Sequence, residues 1–152
     1  MILAILQART SSRRLPGKVL KPILGRPMLA LQLERVGRVR RIDRLLVATS
    51  LDPSDDPIVS LCDELGVGCF RGSLDDVLDR FYRAAAPQKP ASVVRLTGDC
   101  PLADPVVIDR LIEAHTGGDN DYTSNTLTRS FPDGLDVEVI SFACLEAAWR
   151  DA

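Results

Sequence analysis

Hydrophobic positions along the chain fall into short unbroken runs separated by stretches of helical spacing, and this alternation predicts strands and helices in turn. Residues 2–6 (ILAIL) carry no polar position, as expected of a strand covered on both faces. Beyond Pro27, the apolar residues Met28, Leu29, Leu31, Leu33 and Val36 lie largely on one side of a helix that the proline would open. Residues 45–48 form a second buried strand ending at Thr49-Ser50. Ser54 is expected to cap a helix carrying Ile58, Val59, Cys62 and Leu65, stopped by Gly66. Residues 67–70 form a third strand, and Ser73 and Asp76 have the spacing of a capping box before Val77, Leu78, Phe81 and Tyr82. The fourth strand, 92–96, leads into Thr97-Gly98-Asp99-Cys100-Pro101. Asp104-Pro105 then starts a helix through Ile108, Leu111 and Ile112 to Gly117-Gly118.

Four strand–helix units in succession imply right-handed crossovers and a three-layer α/β/α, Rossmann-like fold with a mostly parallel mixed sheet. The runs 2–6 and 92–96 are its expected adjacent central strands. The last third reads differently. Residues 121–125 are a short polar strand or loop, FPDG at 131–134 is a turn, and 135–140 alternates apolar and acidic residues as a half-exposed strand would, its direction open and antiparallel an option. A helix begins at 142–150. There is no repeat, low-complexity segment or linker, which fits a single domain over residues 1–152.

Charge gives this scaffold a place for chemistry. Arg9, Arg13, Arg14, Lys18, Lys21 and Arg26 all precede the first acid, Glu34, although the net charge is -2. Four of these cations lie in QARTSSRRLPGK, directly after the first strand. A buried strand opening into a cationic loop with Gly, Pro and Ser is a common way to hold a polyphosphate; a solvated basic surface is the alternative. The local character of the cluster argues against a general nucleic-acid binder. No apolar run approaches the ~20 residues of a bilayer span, and 1–6 is too short for a secretory core, so a cytoplasmic protein is expected. Cys62, Cys69, Cys100 and Cys144 lack Cys-x-x-Cys spacing, and the single histidine, His115, near a helix C-terminus, is expected to be a capping or surface residue. Free thiols fit better than a zinc site or disulfides.

In doubly wound sheets ligands bind beyond the carboxyl ends of the strands, where strand order reverses. That puts the loop 9–18 opposite Asp99, an arrangement suited to a metal–nucleotide site with Asp99 on Mg2+ and the loop on the phosphates. Asp99 as a plain turn residue after Gly98 is the alternative. Gly17-Lys18 is not a Walker A ending, since Ser12 and Val19 stand where that loop needs Gly and Ser or Thr. Gly66-Val67-Gly68 lacks the third glycine of a dinucleotide fingerprint.

The segments QARTSSRRLPGK and LKPILGRPML resemble the opening of the cytidylyltransferase-type sugar nucleotidyltransferases, which activate acidic sugars such as sialic acid and 3-deoxy-manno-octulosonate. LTGDCPLADP and FPDGLDVEVIS are similar to the spore-coat polysaccharide branch of that family. The resemblance implies transfer of CMP from CTP to a sugar acid with release of pyrophosphate, in cell-surface or spore-coat polysaccharide synthesis. It implies that Arg13, Lys18 and Asp99 are catalytic, with Asp99 a ligand of Mg2+. Gln7, Ala8, Arg9, Thr10, Ser12, Arg13, Gly17 and Lys18 would hold the nucleotide, with Thr49, Ser73 and Arg80 at its base and ribose. Arg14 is expected to turn to solvent. Asp136 and Glu138, on one strand face, fall near the acceptor pocket, a solvent-facing edge being equally open. Family members usually extend further, into a region supplying a second metal-binding aspartate, part of the acceptor pocket and homodimer contacts. A chain lacking that part is therefore expected, and two other readings stay open: a catalytically silent nucleotide-binding module and a nucleotide-sugar-dependent glycosyltransferase. The latter normally uses Asp-x-Asp where this sequence reads Gly98-Asp99-Cys100-Pro101.

Overall fold

The computed structural model describes residues 1–12 and 14–152. Arg13, singled out above as a catalytic cation, lies outside the described residues. The strands are β1 (Ile2–Gln7), β2 (Pro22–Ile23), β3 (Arg26–Pro27), β4 (Arg44–Ser50), β5 (Gly68–Gly72), β6 (Ser92–Thr97), β7 (Tyr122–Ser124) and β8 (Glu138–Ser141). The helices are α1 (Met28–Val36), α2 (Asp56–Leu65), α3 (Val77–Ala85), α4 (Pro105–Gly117) and α5 (Phe142–Asp151). The main sheet has the order β5-β4-β1-β6-β8-β7. β1 is central, running parallel to β4 on one side and to β6 on the other. β8 pairs antiparallel with β6 and with β7, which settles the direction left open for the last strand.

Alternation along β1 assigns the two faces. Ala4 and Leu6 point into a core with Leu29, Leu33, Ile58, Ile108 and Ile112 from α1, α2 and α4. Leu3 and Ile5 point the other way, to Phe81 and Ala84 of α3 and Leu145 of α5. Each fully buried Leu or Ile side chain of β1 contributes about 1.5–3 kcal/mol. The strand needs no polar position because helices cover both sides. α5 is held to α3 by Tyr82 stacked on Trp149 with ring centroids 4.0 Å apart, and by the Trp149 indole N–H donating to Asp79 at 2.9 Å.

Several local expectations are corrected. Pro27 does not begin α1 but precedes it, pairing with Pro22 in a two-strand hairpin turned by Leu24 (φ 51°) and Gly25 (φ 77°). Two-residue strands leave no periodicity to read. Ser54 does not cap α2; it sits in a 3-10 turn, Pro53–Asp55, whose cap is Asp52, accepting from the Ser54 amide at 2.8 Å. Ser73 accepts from the Asp76 amide at 3.1 Å, but the cap of α3 is Asp76 itself, bonded to the Asp79 amide at 2.8 Å. The expected caps hold at α4, where Asp104 accepts from the Val106 and Val107 amides, and at the end of α2, where Gly66 has φ 66°. His115 is neither surface nor cap: it is 4% exposed and lies between the Ser92 hydroxyl (3.2 Å) and the Thr123 hydroxyl (3.1 Å), joining α4 to β6 and β7. Burial lowers its pKa. No helix among the described residues is long and apolar enough to cross a membrane.

Candidate active site

β1 and β6 stay paired to their carboxyl ends, and the site is built from the segments that follow them. Gln7 pairs with Thr97, and the Gly98 amide donates to the Gln7 carbonyl at 2.7 Å. A Cβ at Gly98 would stand 2.8 Å from that carbonyl oxygen and 3.0 Å from the Ala8 Cβ, so the approach of the two segments requires glycine. After Ala8 the chain rises into the cationic loop. The Thr10 carbonyl accepts from both the Ser12 and Gly17 amides at 2.8 Å, which closes the loop on itself. Gly17, at φ 66°, then turns the chain into a 3-10 helix, Lys18–Leu20, anchored by buried Val19. The Lys18 ammonium reaches the Asp99 carboxylate at 3.0 Å.

Between these segments lies a cleft of about 680 Å³. Gln7, Ala8, Arg9, Ser12, Lys18 and Asp99 all line it, as do Ser11, Arg14, Val19, Leu74, Asp75, Thr97 and Gly98. Arg14 therefore faces the cleft and not only solvent, against expectation. None of the ion pairs among the described residues uses Arg9 or Arg14. Burial works to raise the Asp99 carboxyl, but hydrogen bonds from Lys18 and Thr97 and the Lys18 charge outweigh it and hold the group below the usual carboxylate range. With 43% of its side chain exposed, Asp99 remains open to a ligand. Its neighbour Cys100 is no soft donor, because burial pushes that thiol up.

Magnesium is commonly held by one or two carboxylates plus substrate phosphates. Among the described residues no group of three or more His, Cys, Asp or Glu could hold a metal alone. Asp99, with Asp75 elsewhere on the cleft lining, thus fits Mg2+ where nucleotide phosphates complete the coordination. It does not fit an all-protein cage.

The remaining candidates fall around the cleft. Thr10 and Gly17 shape the loop without lining the cavity. Arg80 is 1% exposed; it donates from Nη1 to the carbonyls of Ser73 and Leu74, while Nε and Nη2 have no partner. Burial first, and the Arg9 charge next, lower its pKa. Arg80 and Ser73 thus stand behind the wall that Leu74 presents to the cleft. Thr49 is buried and gives its hydroxyl to Asp55 at 3.0 Å. Asp136 and Glu138 are not brought together on one strand: Asp136 precedes β8, exposed, with its charge reaching Cys100. Glu138 pairs with Arg95 and accepts from the Tyr122 hydroxyl at 2.5 Å, lining a separate apolar cavity of about 290 Å³ under α3 and α5. Sequence reasoning missed Asp55, Asp75 and Thr97. Asp55 looks like any acid at a helix start, and only the fold turns it inward.

Residues 3–152 match the family model described as cytidylyltransferase. The chain belongs to the cytidylyltransferase family. It is similar to the spore coat polysaccharide biosynthesis protein SpsF of Bacillus subtilis (strain 168), 42% identical over 126 residues that cover 80% of this chain and 52% of that protein. It is also similar to a 3-deoxy-manno-octulosonate cytidylyltransferase of Anaeromyxobacter sp. (strain K), 37% identical over 121 residues covering 77% of this chain and 48% of that one. A solved cytidylyltransferase structure from Leptospira borgpetersenii serovar Hardjo-bovis (strain JB197) superposes with a TM-score of 0.94 at 31% identity, covering 99% of this chain and 64% of that chain. This chain spans about half the length of these two curated relatives. The family is the one that the segments QARTSSRRLPGK, LKPILGRPML, LTGDCPLADP and FPDGLDVEVIS resemble, and the fold is the one expected from the alternation of strands and helices.

Proposed function

We propose that this chain forms the CTP-binding part of a sugar-activating cytidylyltransferase that transfers CMP from CTP to an acidic sugar in cell-surface or spore-coat polysaccharide synthesis, with Mg2+ held at Asp99. The observation that carries the reading is the cleft at the β1–β6 switch point, where a self-closed cationic loop sets Lys18 against Asp99. The sugar acid is favoured by the names of the two curated relatives, one a cytidylyltransferase for such a sugar.

The chemistry asks little of the protein beyond alignment and charge. A sugar hydroxyl oxygen attacks the α-phosphorus and releases its proton to solvent, the new O–P bond forms, the bond to the α–β bridging oxygen breaks, and pyrophosphate leaves with its electron pair. Lys18 and Arg13, with Arg9 and Arg14 on the same loop, stabilise charge on the departing pyrophosphate. Bound Mg2+ would neutralise phosphate oxygens. Asp99 holds the metal's place, and Lys18 exchanges its contact with Asp99 for one with phosphate. Ser73 and Arg80 act on the base and ribose side only indirectly, bracing from behind the wall that Leu74 presents to the cleft. Asp136, whose charge is felt beside Asp99, borders the acceptor side.

A thermal-shift screen of the four nucleoside triphosphates with Mg2+ tests the nucleotide half of this reading. At 100 times its Kd, CTP stabilises the fold by about 2.7 kcal/mol. Pyrophosphate release from CTP with 3-deoxy-manno-octulosonate or N-acetylneuraminate tests the transfer. No preference for CTP among the four would remove the assignment.

A further inference from the structure

We infer that Asp55 is a positioning residue for the phosphate loop, a buried carboxylate that fixes Thr10 and through it the placement of Lys18. The inference rests on the cleft being the CTP site. Asp55 occupies the N-cap position of α2, where an aspartate ordinarily accepts from the first amides of its own helix. Here its side chain makes no cap bond. It is wholly buried instead and accepts five hydrogen bonds from elsewhere. Oδ1 takes the Thr10 amide at 2.7 Å and the Thr10 hydroxyl at 2.8 Å. Oδ2 takes the Thr49 hydroxyl at 3.0 Å, the Ser50 amide at 3.1 Å and the Ser50 hydroxyl at 2.5 Å. One oxygen therefore faces the loop and the other faces the end of β4.

The consequence follows along the chain. With its amide and hydroxyl fixed by Asp55, Thr10 presents its carbonyl to the Ser12 and Gly17 amides, and Gly17 delivers Lys18 to Asp99. All the direct partners of Asp55 are neutral donors. A buried carboxylate satisfied in this way is costly to disturb, because each donor left unpaired loses a strong charge-assisted bond. Burial raises its carboxyl and the donated hydrogen bonds more than offset this, so the group is held ionised. The loop is thus preformed on a rigid support, which spares nucleotide binding the cost of ordering it.

The test combines hydrogen exchange of the nucleotide-free protein with CTP titration in Mg2+. Asp55→Asn is expected to speed exchange of the 9–18 amides at least tenfold, to leave β6 protected, and to raise the Kd for CTP about tenfold or more. Ser50→Ala, which removes a donor on the β4 side only, should leave loop exchange and CTP affinity unchanged while lowering Tm. Thr10→Val should speed loop exchange about threefold, and Thr10→Ser, which keeps the hydroxyl, should restore it. Should Asp55→Asn not fold, the Thr10 pair decides. Unchanged loop exchange in Asp55→Asn or Thr10→Val, equal effects from Ser50→Ala, or loss of protection spread evenly over loop and β6 would each overturn the inference. Wild-type protein that binds no CTP would defeat the proposed function, while the exchange data would still decide whether Asp55 holds the loop.

Discussion

Two stretches of this chain hold equal numbers of Lys and Arg, and only one is built as a site. The loop 9–18 and the segment 38–44 each hold four Lys or Arg residues. In the second, Arg38 pairs with Glu34, Arg41 with Glu113 at 2.7 Å, and Arg44 bonds Gln88. The Asp109 carboxylate takes the Arg40 and Arg41 amides at 3.1 and 2.9 Å. In the loop, Arg9 and Arg14 face a cavity at a sheet switch point, and Lys18 meets an acid that itself remains 43% exposed. A run of positive charge becomes an anion site when the backbone aims it into a cleft and its countercharges are few or exchangeable. In 38–44, by contrast, two of the four cations are tied to acids on α1 and α4, and the segment lies away from the sheet switch point.

The comparison breaks most sharply at Asp99. Asp99→Asn should abolish the Mg2+ dependence of nucleotide binding with the fold intact, checked by titrating CTP with and without Mg2+. Next, Lys18→Ala should cost about 1.5–3 kcal/mol of CTP binding, the worth of a hydrogen bond to a charged group, or roughly ten- to a hundredfold in Kd. Arg13→Ala is expected to fall in the same range.

A pH scan separates loss of the fold from loss of the site. Buried His115 has a folded pKa below its unfolded value, so the unfolded chain binds the proton more readily. Its contribution is complete above the unfolded pKa of about 6.5 and is lost as pH falls toward the depressed folded value, at up to about 1.4 kcal/mol per pH unit. Denaturant melts between pH 7.5 and 5 should show this slope, and His115→Asn should flatten it. Asp99, held below the ordinary carboxylate range, titrates under that window, so its hold on metal should not change across it. Arg14→Ala should have a smaller effect, about 0.2–1 kcal/mol in CTP binding, as suits a solvent-screened contact.

Sequence patterning carried the parallel half of the fold because its strands are largely buried on both faces: the unbroken apolar run at 2–6 and the mostly apolar run at 92–96, interrupted by Ser92 and Arg95, sit where that character placed them. It carried the cationic loop and Asp99 because both lie next to strand ends. It did not carry the hairpin at Pro22–Pro27, whose strands are too short for any period to register. His115 escaped because helical position says nothing of the hydroxyls that β6 and β7 bring to it. Asp55 escaped for a related reason: its acceptors' work is done across 45 residues of chain to Thr10, while its local context is that of a cap. Glu138 shows the converse, an acid whose motif suggested the acceptor pocket but whose side chain is engaged by Arg95 and Tyr122 in another cavity.

The most direct test of the contrast between the two cationic stretches is the CTP affinity of Lys18→Ala and Arg41→Ala, measured side by side by calorimetry with Mg2+ at fixed ionic strength. The loop-specific account predicts roughly ten- to a hundredfold weaker binding for Lys18→Ala and wild-type affinity for Arg41→Ala. Equal weakening in both would mean that the arginines and lysines act as a diffuse field, and would contradict it.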